Sequence, residues 1–352
     1  MPRVTGRSLS LLSVLAFASV ALAPTVASAH DEPGSQKQST QAQTPSPAAT
    51  EPGKEHEKGE KEEEPDWEVA ADVIGGATTA DVLSPGRPTR IEQPPLNMLD
   101  STRITAYPFL FGVERHLGDR LTVGIRAPIV AATLASRTGI SEDRSVVLGG
   151  NIELEGSFVL ARGKNWDLGV ALGVALPTAG GTEPPSAAEV AADPAKRFDY
   201  KSIDVFAAAH AASATLGSYD SALFEPGNLG IVPQIYANIR ISELTLTPTV
   251  KVENLINVTG DSDETYINEI VAGVRAGFHV TPAFEPGVHV WVRSLHQQAH
   301  SEDTSDTVGV VEPYMRFHLG GFQPGVSAIL PFAGDLADAK TFGIRGGFIA
   351  EF

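Results

Sequence analysis

The chain has 352 residues, 43 acidic side chains against 26 basic ones, a formal charge of −17 and no cysteine. That charge excludes nucleic acid as a partner. The absence of thiols excludes disulfides, a cysteine nucleophile and a lipoprotein anchor, which needs a cysteine at the processed N-terminus.

Residues 1–29 have the layout of a secretory signal peptide. Arg3 and Arg7 form a positive start, "LSLLSVLAFASVALA" is an apolar stretch too short for a comfortable membrane span, and Ala27-Ser28-Ala29 offers small residues for cleavage before His30. Residues 30–66 are a charged tail rich in Pro, Glu, Lys, Gln, Ser and Thr. Such a segment buries too little apolar surface to offset its ordering entropy, so a disordered periplasmic tail is expected. Its histidines, His30 and His56, are flanked by acids and read as part of a solvated tail.

From Trp67 to Phe352 the pattern becomes alternation with period two. In "VEPYMRFHL", Val311, Pro313, Met315, Phe317 and Leu319 share one side, and Glu312, Tyr314, Arg316 and His318 the other. "AFEPGVHVWVR" and "LTLTPTVKVE" repeat the arrangement. A soluble sandwich would turn the apolar faces inward, whereas a transmembrane barrel turns them to lipid and the charged faces to its lumen. The strands run about nine to fifteen residues, as a tilted membrane crossing needs. The turns alternate short ("HLGD", "RGKN", "ISE", "VTPA", "GG") with long, and no later apolar run is long enough for a membrane helix. The barrel is therefore the expected fold: all-β, antiparallel, of about twelve strands with both ends periplasmic. The predicted strands lie near 67–75, 101–115, 120–134, 145–162, 165–177, 228–241, 243–257, 265–280, 283–297, 306–319, 321–332 and 340–352.

One segment breaks the pattern. Residues 178–227 form a long extracellular loop, and "YKSIDVFAAAHAASATLGS" within it reads as an amphipathic helix capped by Ser202 and stopped by Gly217. Ile203, Phe206 and His210 fall on its apolar spacing and are the expected gating residues. "SAAE" (Ser186 to Glu189) reads as a capping box for a shorter helix. The helix lies over the mouth or folds into the lumen; the sequence leaves both open.

The chain ends on a two-faced strand, with Phe342, Ile344, Phe348 and Phe352 on one side and Arg345 and Glu351 on the other. With the export signal and the alternating strands, this ending resembles the Gram-negative outer-membrane β-barrel proteins. The resemblance implies that Phe352 and Phe348 form the address read by the barrel-assembly machinery, and that membrane lipid surrounds the body. "LTVGIRAPIV" and "LGGNIELEGSFVLARGKNWDLGVALGVALPTAGG" also resemble transporter-like barrels associated with uptake of aromatic and other small compounds.

Turning the polar face inward predicts the lumen lining. Its acids include Glu153, Glu155, Glu253, Glu269, Glu285 and Glu312. Its bases are Arg126, Arg240, Lys251, Arg275, Arg293, Arg316 and Arg345, joined by His289, Tyr314 and His318. Such charges either line a narrow water-filled passage or pair into ladders that fill the lumen. Inward glycines such as Gly169, Gly173, Gly273, Gly287 and Gly343 read as free space and favour the passage. Ser294 and His296 share a strand face but lack a nucleophile motif and a supporting acid, so no enzyme is expected. Nor is a metal centre or cofactor: "HSEDTSD" (His300 to Asp306) reads as a solvated acidic loop. The expected molecule is a monomeric barrel that passes a small solute; the alternative is a filled barrel with a structural or surface-interaction role.

Overall fold

A computed structural model describes residues 66–79, 102–135, 143–179, 191–193, 200–258, 266–297 and 304–352. The signal peptide, almost all of the tail, the Ser186–Glu189 box and residues 300–303 lie outside the described residues. Twelve antiparallel staves follow one another: β1 (Trp67–Thr79), β2 (Arg103–His116), β3 (Leu121–Ala135), β4 in two segments (Arg144–Gly149 and Ile152–Arg162), β5 (Trp166–Leu176) and β6 (Asn228–Ile241). Then come β7 (Leu244–Asn257), β8 (Tyr266–Phe278), β9 (Phe284–Gln297), β10 (Thr304–Phe317), β11 (Phe322–Ala333) and β12 (Phe342–Glu351). Each stave pairs with its chain neighbour, and β12 pairs back onto β1 from Glu68↔Glu351 to Ala77↔Phe342, which closes the barrel. Trp67 and Phe352 complete the seam by exchanging backbone hydrogen bonds, both 3.0 Å long.

The faces settle which solvent lies outside. Tyr107, Phe109, Phe111, Ile129, Leu154, Ile235, Ile344 and Phe348 are exposed on the outer surface, while Glu153, Lys251, Glu253, His289, Arg293 and Glu312 are buried inside. In water this would leave apolar side chains, each worth about 1.5–3 kcal/mol on burial, without cover. Against hydrocarbon it is the expected arrangement. All five short turns join the staves at the end that carries both termini of the barrel; single-chain bacterial barrels turn that end to the periplasm, and it is called the periplasmic end on that ground.

Residues 145–162 were expected as one strand, and here the ladder is interrupted. β3 pairs with the upper segment from Leu134↔Arg144 to Ile129↔Gly149, then with the lower one from Arg126↔Glu153 to Leu121↔Phe158. The sum of partner numbers changes by one across the gap, so Gly150 and Asn151 form a bulge that shifts side-chain parity. Leu148 therefore faces inward above the bulge, and Glu153 and Glu155 face inward below it.

The helix α1 (Tyr200–Thr215) begins three residues before the start at 203 that a Ser202 cap predicts. Gly217 does end it, with φ +68°: Gly217 N–H donates to Ala214 O (2.8 Å) and Ser218 N–H to Ser213 O (2.9 Å), the paired bonds of a Schellman cap. The described residues also include a short 3-10 turn (Ser221–Leu223) and a one-turn helix α2 (Asp335–Asp338), the latter in the β11–β12 connection.

Candidate functional site: a plugged lumen

The expectation of a helix with one wet face is corrected. From Val205 to Thr215 every α1 residue except His210 is buried, as is Leu216 just beyond it, and Ala207, Ala208, Ala209, Ala211 and Ala212 are 0% exposed. A helix apolar on all sides needs cover on all sides. The cover comes from inward residues of the extracellular half of the barrel, Ile74, Ile104, Val130, Leu134, Leu148, Val271, Val308, Val310 and Ile329, which form one cluster with α1. The helix is inside the barrel, and its alanines allow it to fit there. In this half both faces of the wall are apolar, so the rule "polar side inward" does not hold over the full height.

Inward glycines were read as free space, and that too is corrected. A Cβ on Gly169 would meet Tyr236, on Gly173 Glu153, on Gly273 Trp291 and on Gly287 Tyr314. On Gly76 or Gly343 it would meet Thr215 of α1. The missing side chains make room for large neighbours lying flat across the wall, and for the plug.

Below α1 the chain turns across the lumen and meets a belt of charge. Asp220 is the centre: its carboxylate accepts from Lys251 Nζ at 2.8 Å and lies 3.6 Å from an Arg126 guanidinium nitrogen. Arg126 also pairs with Glu153 (2.6 Å) and Glu155 (3.6 Å), and Lys251 with Glu253 (2.7 Å). Burial alone would raise the Asp220 pKa, yet Lys251 and Arg126 hold it well below the usual carboxylate range. Tyr219 lies under Lys251 (4.0 Å) and edge-on to Trp291, whose indole N–H donates to Gly217 O at 3.1 Å. On the opposite wall, Glu312 takes Arg345 (3.2 Å), His289 (3.3 Å) and the Ser327 hydroxyl (2.5 Å).

Asn151, at the bulge, is fully buried and ties the plug to the wall. Its side-chain N–H groups donate to Ala222 O (2.9 Å) and Glu225 O (2.8 Å), its backbone N–H donates to Leu223 O (2.8 Å), and its side-chain oxygen accepts from Ala179 N–H (2.8 Å). Sequence reasoning missed Asn151, Asp220 and Tyr219. Only the polar Gly-Gly-Asn interruption of an otherwise regular strand pointed to the first.

The other predicted residues take definite positions. Glu269 and Arg293 pair at 3.0 Å on the wall beside the plug, Arg275 stacks over Tyr314 at 4.4 Å, and Tyr314 donates to Glu285 at 2.8 Å. Arg316 lies opposite Glu285 in the β9–β10 register, His318 reaches Glu285 at 3.3 Å, and Arg240 is half-buried near the periplasmic end of β6. In α1, Phe206 is buried, and His210 bonds Phe206 O (3.1 Å) and lies 3.4 Å from Glu225. Ile203 is in the helix, but its side chain lies outside the described residues. Phe348 and Phe352 are on the lipid side, where Phe348 packs against Phe322 with ring centroids 5.4 Å apart.

Between plug and periplasm lies a cavity of about 200 Å³ bordered by Asp72, Glu114, Glu153, Glu155, Asp220 and Glu312 and by Arg126, Lys251, Arg275, Arg316 and Arg345. Six acids face five bases across one space.

No family model matches the chain, and no curated protein does either. Solved structures do. The COG4313 outer membrane channel from Pseudomonas putida F1 superposes with TM-score 0.53 at 12% identity, covering 82% of this chain and 96% of that one. The NanC porin gives 0.42 at 8% identity (80% and 100% covered), and a TodX monoaromatic hydrocarbon channel mutant 0.36 at 7% (82% and 90%). At such identities the likeness to the first is one of fold. With the closed seam, the apolar outer belt and the buried inner charges, the chain is a transmembrane β-barrel of the outer-membrane kind.

Proposed function

We propose that the barrel is a gated uptake channel for small polar solutes, closed by α1 and the turn below it in the conformation described. The supporting observation is the charged cavity directly beneath α1 and the turn that follows it. A lumen built only for rigidity has no need to leave about 200 Å³ open between opposed charges. The near balance of acids and bases favours solutes that are neutral or carry both signs, because a single net charge would meet like charges on one wall. The alternative, a permanently filled barrel with a structural or surface role, draws support from the tight packing of α1. Planar-bilayer conductance separates the two. The full chain should be almost silent, and the chain lacking 182–216 should pass steady current. Silence from both sinks the channel reading.

Export through the 1–29 signal, with cleavage before His30, belongs to the same reading, as does a single-copy barrel. Enzymatic activity does not, and lipase and protease assays on folded chain check that. Phe352 and Phe348 we assign to recognition by the assembly machinery. Deleting Phe352 should cut the folded, heat-modifiable fraction in cells several-fold while leaving inserted barrels with normal conductance; normal insertion would remove that role.

A further inference from the structure

At the periplasmic rim, three consecutive staves bring together side chains that the channel reading does not use. His279 follows β8 directly, Glu285 is on the inner face of β9, and His318 follows β10 directly. The backbone at both histidines is anchored to the neighbouring turns: His279 N–H donates to Glu243 O at 2.9 Å and His318 N–H to Ala283 O at 3.0 Å. Both rings turn Nε2 toward the same carboxylate oxygen, Oε2 of Glu285, at 3.5 Å from His279 and 3.3 Å from His318. One ligand atom from each of the three residues lies within 4.8 Å of the others.

We propose that His279, Glu285 and His318 bind a divalent transition-metal ion of the zinc class at the periplasmic mouth of the lumen. Ligands about 2.0–2.2 Å from a tetrahedral ion are separated by about 3.3–3.6 Å, the spacing that Nε2 and Oε2 already have. Two imidazoles and one carboxylate suit zinc, nickel or copper, while calcium and magnesium want oxygen alone. The carboxylate is also held from behind, because its other oxygen, Oε1, accepts the Tyr314 hydroxyl at 2.8 Å. Ligands oriented by outer partners in this way are a regular feature of metal sites. His279 and His318 have side chains 39% and 24% exposed, so the ion is reachable from the periplasm. With three protein ligands, a coordination position remains for water or a solute group. The ion would also tie β8, β9 and β10 together at the end where a short turn joins β8 to β9. This proposal does not depend on whether solute passes the plug.

The test uses folded, chelator-treated full chain in detergent, titrated with zinc by calorimetry, with calcium as control. One zinc per chain at micromolar concentration, unaffected by equal calcium, is expected. H279Q/H318Q should weaken binding at least tenfold while keeping heat-modifiable mobility. H30Q/H56Q/H300Q, which removes histidines outside the described residues, should leave binding unchanged. Absent zinc binding, or binding unchanged in H279Q/H318Q, overturns the proposal. Should H279Q/H318Q fail to fold, copper EPR on the H30Q/H56Q/H300Q chain decides. Nitrogen splitting from two imidazoles supports the site, and its absence refutes it.

Discussion

The two halves of the lumen are built from the same staves yet obey different rules. Toward the outside, the inner wall is aliphatic and meets an alanine helix on all its sides; fit there is set by volume. Toward the periplasm, the inner wall is charged and meets the plug through Asp220 and its partners; fit there is set by ion pairing. Volume fit is insensitive to pH and salt but intolerant of added atoms. Ion pairing tolerates small shifts of side chains but depends on each charge being answered. A plug held by both is firm while seated, and it has few favourable intermediate positions. That is what a two-state gate requires.

The larger effect should come from the apolar half. Ala211 is 0% exposed within the cluster around α1. Ala211→Leu adds three carbons where there is no space, and overpacking of this kind costs about 1–3 kcal/mol. Because the strain is relieved when the plug leaves, the open population in planar bilayers should rise on the order of tenfold to a hundredfold. The barrel itself, read from its heat-modifiable mobility, should be unchanged. An unaltered open population would mean that α1 is not the gate, even if deletion of the whole loop opens a path.

These two rules also explain what was legible in the sequence. In the periplasmic halves, alternation is clean: Glu312, Tyr314 and Arg316 against Pro313, Met315 and Phe317 can be sorted on sight, and the barrel, its strand number and much of the charge belt follow. In the extracellular halves, Val73 faces lipid and Ile74 faces the plug, and Ile129 and Val130 do the same. Alternation disappears there because both sides are apolar, and period-two reasoning has nothing to sort. The loss of contrast was itself the sign of a helix inside. The glycines misled for a related reason: absence of a side chain is visible in sequence, but the Tyr236 or Trp291 that occupies the space comes from a neighbouring strand. Asp220 was hidden because its partners Lys251 and Arg126 are 31 and 94 residues away and meet it only after the loop folds inward.

The smaller effect should come from the charged half, and its pH dependence tells the halves apart. Asp220→Asn keeps an oxygen for Lys251 but removes the charge, while Lys251 keeps Glu253 and Arg126 keeps Glu153 and Glu155. The walls stay answered, so the loss is that of one charge-assisted bond, about 1.5 kcal/mol, or roughly tenfold in open population at neutral pH. The native carboxyl is held below its ordinary range, so its hold on the plug is complete above about pH 4, the unfolded carboxylate value. It is lost only as pH falls through the depressed native value. Between pH 7 and pH 5 the native chain should therefore stay closed as far as Asp220 is concerned, and Asp220→Asn should be looser by a constant factor across that interval. Ala211→Leu combined with Asp220→Asn should multiply the two effects if volume and charge act independently on one seated state. A combined effect no greater than the larger one would show that one contact already releases the plug, and that the two halves do not hold it separately.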